Sequence, residues 1–149
     1  MPKIDLLDNK VKNARVVLWK ESNQGPKYLL VQEQGGLFGL PGGVKDIEDR
    51  DILETIKREL KEELDLNSES FFLDGLPKIY EEKDIYTNPK SERFGKNVTF
   101  YIFKAKLIKQ DRFTISSDLM SCEWCSEKEV IDKIPHENIR RYFVQAIKV

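Results

Sequence analysis

Three carboxylates and two adjacent glycines carry the chemistry in this sequence. Glu59, Glu62 and Glu63 lie in the run Arg58-Glu59-Leu60-Lys61-Glu62-Glu63-Leu64, downstream of the turn Leu40-Pro41-Gly42-Gly43. At about 3.6 residues per turn, a helix presents i, i+3 and i+4 on one side. Like charges at that spacing repel by roughly 0.2–0.5 kcal/mol per pair. A hard cation with oxygen ligands turns that repulsion into binding. A solvated acidic face is the bland alternative, and a lone Glu-Glu pair would mean only that.

The glycine turn and the acidic helix together resemble the box of the Nudix (MutT-like) hydrolases, G-x5-E-x7-R-E-U-x-E-E-x-G-U with U aliphatic. Arg58, Glu59, Leu60, Glu62, Glu63 and Leu66 match its second half. Asp65 stands in place of a glycine. Asp tolerates the left-handed geometry of a helix C-terminus better than most residues do, so this departure is minor. Gly43 is one residue too far from Arg58, and Arg50 occupies the position expected for Glu. A one-residue insertion within Val44–Asp49 repairs the pattern, leaving Glu48 or Asp49 as the first acidic residue.

The resemblance implies an enzyme that hydrolyses a phosphoric anhydride, with Mg²⁺ as cofactor and Mn²⁺ as a possible substitute. Glu59, Glu62, Glu63 and the Gly43 carbonyl would be metal ligands. Octahedral Mg²⁺ retains several waters, so that donor set is sufficient. Arg58 would pair with Glu48 or Asp49; its bland reading is an ordinary i,i+4 partner of Glu54 or Glu62. The general base stays open between Glu59 and Asp118, six residues before Trp124. Asp118 is equally well read as a turn residue making a local Asx bond.

Substrates of this family pair a nucleoside diphosphate with another group, so cations and a stacking aromatic are expected. Arg15, Lys45, Tyr80, Tyr86 and Arg93 are the candidates, each with an ordinary loop or surface role as its alternative. Tyr80, Tyr86 and Pro77 all lie where some branches carry a marker residue, and none has a spacing that excludes the others. A nucleoside triphosphate is the first substrate expected and a dinucleoside polyphosphate the second. A catalytically weak or inactive nucleotide-binding module is the rival reading, and a metal-independent scaffold the third.

The elements that must position these residues follow from hydrophobic periodicity. Residues 14–19 and 28–32 read as strands joined by a turn around Asn23-Gln24-Gly25-Pro26. Leu53, Ile56, Leu60 and Leu64 recur at helical spacing over 51–64. A strand pair is expected at 71–73 and 76–81, then an exposed loop over 82–96. Val98-Thr99-Phe100-Tyr101-Ile102-Phe103 is apolar on both faces, which predicts a covered central strand. A short strand at 122–124 precedes a helix opened by the capping box Ser126-Glu127-Lys128-Glu129, and a last helix buries Ile139, Tyr142, Phe143, Ala146 and Ile147. This order gives a mixed sheet between helices; the resemblance specifies an α/β/α sandwich whose box forms loop–helix–loop.

Composition sets the remaining bounds. The chain has 149 residues, 40% hydrophobic, enough for one domain with a core, and no repeat or low-complexity linker divides it. A net charge of −1 with 34% charged residues gives no electrostatic case for nucleic acid or a membrane surface. Neither a signal peptide nor a membrane span is present, so a cytoplasmic enzyme is expected, acting as monomer or homodimer on a small nucleotide. Cys122 and Cys125, with His136 as the sole histidine, cannot close a four-ligand zinc site. They are read as reduced, partly buried thiols, with a redox C-x-x-C as the minor alternative. His136 is expected to be a surface residue.

Overall fold

A computed structural model describes residues 3–83, 85–109 and 112–148. The described residues form eight strands in one mixed sheet, with three α-helices. The sheet is built around β1 (Lys10–Lys20), which pairs in parallel with β7 (Asn97–Leu107) from Lys10↔Asn97 to Trp19↔Lys106. Both strands are apolar on alternate sides because both sides are covered. Val11 and Val17 face the layer of α2 (Glu127–Lys133) and α3 (Glu137–Ile147), while Ala14, Val16 and Leu18 face α1 (Ile52–Leu64). The architecture is the expected α/β/α sandwich.

The sheet splits where the functional loop enters. β2 (Lys27–Glu33) pairs with β1 only at Trp19↔Tyr28 and Lys20↔Lys27. Beyond that point the strands part. β3 (Phe38–Gly39) stays with β2, and β4 (Gly42–Val44) joins β1 through Asn13↔Val44 and Arg15↔Gly42. Between them the Pro41 carbonyl accepts the Val16 N–H at 2.9 Å. The glycine-rich stretch, whose composition reads as a loop, is therefore part of the sheet, because pairing with β1 and β2 fixes its backbone, and the split leaves an opening beside Arg15. β8 (Leu119–Cys125) covers the other edge of β2.

The strand pair expected at 71–73 and 76–81 does not form. β5 (Phe71–Leu73) and β6 (Lys78–Glu82) do not pair with each other. They lie end to end along β7, at Leu73↔Ala105 and Lys78↔Ile102. The connection holds Gly75 at φ +78° and Pro77, which lacks an N–H, so the chain detours and returns to the same edge.

α1 is held at both ends and along one face. Asp51 accepts the Glu54 N–H at 2.8 Å, an N-cap worth about 1 kcal/mol. Asp65 takes the left-handed conformation (φ 55°, ψ 35°) and its N–H reaches the Leu60 and Lys61 carbonyls, as expected for a glycine substitute. Ile56, Leu60 and Leu64 are fully buried, each contributing roughly 1.5–3 kcal/mol of burial free energy. With that face fixed to the sheet, the acidic face turns toward β4.

The cysteines share one strand three residues apart. Cys122 therefore packs on the α1 side and Cys125 on the α3 side. Both are free thiols, and their placement on opposite faces gives the redox alternative no geometry.

Candidate active site

The two glycines let backbone and carboxylates meet. Gly42 has φ +143°, and a Cβ there would sit 1.9 Å from the Ala14 carbonyl oxygen of β1. Its N–H donates to Glu63 Oε1 at 2.9 Å. At Gly43 a Cβ would fall 2.5 Å from Glu59 Oε1, so the Glu59 carboxyl fills the space that glycine leaves. Glu59 and Glu63, one turn apart on α1, thus both rest against β4.

Burial makes these carboxylates costly to ionise. It pushes Glu63 up to about 7, although the Gly42 N–H and the Arg15 charge act against it. Burial also raises Glu59, opposed by Arg58. Glu62 differs: its side chain is 55% exposed and its carboxylate lies 3.2 Å from Arg58 Nη1.

Arg58 organises the flank. Its Nε donates to Asp49 Oδ1 at 3.0 Å and its Nη2 to Asp49 Oδ2 at 2.9 Å, a two-pronged pair. Its remaining donors reach Glu59 Oε1 at 3.0 Å and the Val44 carbonyl at 3.1 Å. Burial acts to raise the Asp49 pKa, but Arg58, the Asp46 N–H and the Thr55 hydroxyl outweigh it and hold Asp49 ionised. The Asp49 hydrogen bond correspondingly raises Arg58. Of the two partners left open by the sequence, Asp49 is the one in place; Glu48 is exposed. The i,i+4 alternative also survives in part, since Arg58 touches Glu62, whereas Glu54 pairs with Arg50 at 2.7 Å.

The expected substrate residues scatter. Arg15 stands next to the glycine loop, with Nη1 donating to the Leu40 carbonyl at 3.1 Å and Nε to Asn13 Oδ1 at 2.8 Å. Beside it opens a cavity of about 220 Å³, walled by Leu37, Phe38, Leu40, Ile85, Phe100 and Ile139. Asn13, Glu33, His136 and Asn138 supply its polar groups. A second, charged cleft of about 360 Å³ lies along Lys3, Asp46, Arg58, Glu59, Glu92 and Arg93. Tyr86 contacts Arg93, its ring 5.4 Å from the guanidinium.

Two candidates are turned elsewhere. Lys45 also lines the charged cleft, but it is only 9% exposed and its ammonium is engaged by Asp5 at 2.8 Å. Tyr80 stacks on Tyr142 at 4.0 Å and donates to Gln145, under α3 and away from the carboxylates. Asp118 lies exposed in a turn tied to α1 through the Ser116 N–H and the Glu63 carbonyl, at 2.9 Å.

Asn13, His136 and Asn138 were not expected at a site. Asn13 had a readable signal, because it shares a strand face with Arg15. His136 is exposed, as expected, yet borders the cavity. That border depends on the α2–α3 connection folding back to the split sheet, which no local pattern encodes.

The donors on α1 and β4 suit a hard divalent cation. All are oxygens, two carboxylates are desolvated, and the Glu59 carboxyl abuts the Gly43 backbone. As placed, Glu62 faces Arg58, and among the described residues no three acidic, histidine or cysteine side chains are gathered for an ion.

Known proteins share this fold. A family model for the NUDIX domain matches residues 10–147. No curated protein sequence matches the chain. A C. elegans Ap4A hydrolase, solved as a binary complex, superposes with a TM-score of 0.76 at 20% identity, covering 91% of this chain and 93% of that one. The E. coli dihydroneopterin triphosphate pyrophosphohydrolase gives 0.70 at 15% identity, covering 90% and 92%. The NUDIX domain of Shewanella oneidensis NrtR, solved with ADP ribose, gives 0.70 at 22%, covering 92% and 86%. These likenesses are of fold. With the family model spanning nearly all of the sequence and the box residues assembled around Gly42 and Gly43, the chain belongs to the Nudix hydrolase family.

Proposed function

We propose that this protein is a Mg²⁺-dependent pyrophosphohydrolase, with Mn²⁺ able to substitute. It cleaves the diphosphate linkage of a nucleoside diphosphate derivative by attack of water at phosphorus. The observation that carries this reading is the burial of Glu59 and Glu63 against the Gly42–Gly43 backbone. Buried carboxylates with raised pKa values destabilise a fold unless a positive charge joins them. Bound divalent cations neutralise phosphoryl charge, act as Lewis acids and lower the pKa of water.

The chain's own residues have distinct parts. Glu59, Glu62, Glu63 and the Gly43 carbonyl would hold the cation. Arg58, fixed by Asp49, orients Glu59. Arg15 stands between the apolar cavity and the carboxylates, where it would orient the phosphate chain. Glu59 or Asp118 takes the proton of the attacking water. The cavity would receive a planar group, and Arg93 and Tyr86 flank the charged cleft for the distal end.

A nucleoside triphosphate is the first substrate choice and a dinucleoside polyphosphate the second. The ligands and substrates named for the structural neighbours, Ap4A, dihydroneopterin triphosphate and ADP ribose, all join a planar group to a phosphate chain. A nucleotide-binding module without turnover is the second reading, favoured by Glu62 facing Arg58.

The test is release of phosphate or pyrophosphate from a panel of nucleotide derivatives with Mg²⁺, comparing the native protein with Glu63→Gln. Turnover present in the native protein and lost in the variant supports the hydrolase. A folded, metal-loaded native protein that turns over nothing in the panel favours the binding module.

A further inference from the structure

The extra residue between Gly43 and Arg58 lengthens a loop that must still deliver Asp49 to Arg58. That loop is tied to a segment outside the box. Ile4 forms a β-bridge with Asp46. On either side of it, the Asp5 N–H donates to the Lys45 carbonyl at 3.0 Å and the Ile47 N–H to the Lys3 carbonyl at 2.7 Å. Beneath these bonds lies the ion pair of Asp5 and Lys45, 2.8 Å apart and 7% and 9% exposed. Asp5 also accepts the Leu7 N–H at 2.9 Å and lies 3.5 Å from Lys12.

From this anchor a continuous line of contacts reaches the carboxylates. The Asp46 N–H donates to Asp49 Oδ2 at 2.9 Å. Asp49 holds Arg58, and Arg58 Nη1 donates to Glu59 Oε1 at 3.0 Å. Each partner of a buried ion pair holds the other in place, because separating them leaves an uncompensated buried charge. Here it fixes a stretch of chain that is one residue longer than the box pattern.

We propose that the segment around Asp5 is a strap for the lengthened box loop, with Asp5 and Lys45 as positioning residues that keep Asp49 on Arg58. The proposal rests on the hydrolase reading for its effect on turnover, though not for its effect on Arg58. None of the strap residues lines the apolar cavity, whereas Lys3, Ile4, Lys45 and Asp46 line the charged cleft. Untying the strap should therefore impair the carboxylate end of the site and leave capture of the planar group intact.

The experiment compares the native chain with Asp5→Asn and Lys45→Met, and with Lys45→Arg, which keeps the cation. Three quantities are read: kcat and KM with Mg²⁺ saturation curves, Mn²⁺ binding by electron spin resonance, and hydrogen exchange of the Arg58 Nε–H by nitrogen NMR. In Asp5→Asn and Lys45→Met, kcat should fall about tenfold, as for lost supporting contacts around a metal ligand. Mn²⁺ binding should weaken and the Arg58 proton should lose protection, with any change in KM confined to substrates long enough to reach the charged cleft. Lys45→Arg should recover the Arg58 signal.

Folded variants with native kcat, Mn²⁺ affinity and Arg58 protection would overturn the strap. So would Lys45→Arg behaving as Lys45→Met does, because the pairing would then not matter. If a lone buried charge prevents a single variant from folding, the Asp5→Asn/Lys45→Met double variant removes both charges and gives the same readouts. A native chain without turnover would count against the hydrolase alone, since Mn²⁺ binding and Arg58 protection still decide the strap.

Discussion

The carboxyl group of Glu59 occupies the space that any side chain at Gly43 would need, with its oxygens 2.5 and 2.7 Å from an ideal Cβ position. Gly43→Ala can relieve that overlap by swinging the end of a flexible glutamate. The variant should fold with stability within about 1 kcal/mol of native and lose about 10²-fold or more in kcat, as Glu59 is displaced. Gly42→Ala has no such escape, because its methyl would meet the Ala14 backbone at 1.9 Å from a φ of +143°. It should lose more than about 3 kcal/mol in denaturant unfolding. Equal stability losses in the two variants would contradict this packing.

Asp49 and Glu48 are neighbours in sequence and unlike in role. The Asp49 side chain is 5% exposed and grips Arg58 with both oxygens. Asp49→Ala leaves a guanidinium without its main partner and should cost about 3 kcal/mol along with most of the activity. Glu48→Ala should stay within about 0.5 kcal/mol of native. Arg58→Lys should not rescue function, since an ammonium cannot reproduce the forked pairing. Unfolding curves and turnover on the same preparations check all three.

Burial raises Glu63 to about 7 in the metal-free protein. Between its ordinary value near 4.5 and about 7, the native state binds more protons than the unfolded chain. Stability contributed at this site therefore falls as pH rises through that window. Glu63→Gln should remove the fall and stabilise the chelator-treated protein at pH 8 by roughly 1–3 kcal/mol. Mg²⁺ should stabilise the native protein more at pH 8 than at pH 6, because protons compete for the same oxygens. Thermal unfolding with and without chelator at the two pH values shows whether the signs hold.

Cys125 is buried, and burial with nearby Glu123 pushes its thiol up to about 11. Cys122 is raised for the same reasons. Thiol alkylation at pH 7.5 should be slow in the native protein and complete only in denaturant. Oxidants should not join the pair within one chain, as the two sulfurs lie on opposite faces of β8. Rapid native labelling, or an intrachain disulfide by mass spectrometry, would contradict this placement.

The acidic helix and its Asp65 C-terminus were legible because each is local, whereas the glycine-rich stretch, read as a turn, forms two short strands of the sheet. Asp51, Asp65 and the Leu-Ile stripe of α1 encode where the helix starts, stops and faces, and the spacing of Glu59, Glu62 and Glu63 follows from the helical repeat. The covered strand at Val98–Phe103 was legible for a similar reason, as apolar residues on both faces need cover on both. The end-to-end placement of β5 and β6 was not, because pairing partners are chosen across long sequence separations.

The sequence by itself determined the family, the helix that carries the carboxylates, and the fact that the box loop is one residue longer than the pattern. Only the tertiary structure chose Asp49 over Glu48, since that choice depends on a buried Arg58 and on how the loop is held. It also paired Lys45 with Asp5, 40 residues away in the chain, at the edge of the charged cleft. Tyr80 was drawn under α3 by Tyr142, while Arg15 was left beside the split in the sheet. Long side chains such as these settle by competition among partners that meet only after folding, and neither periodicity nor spacing records who those partners will be.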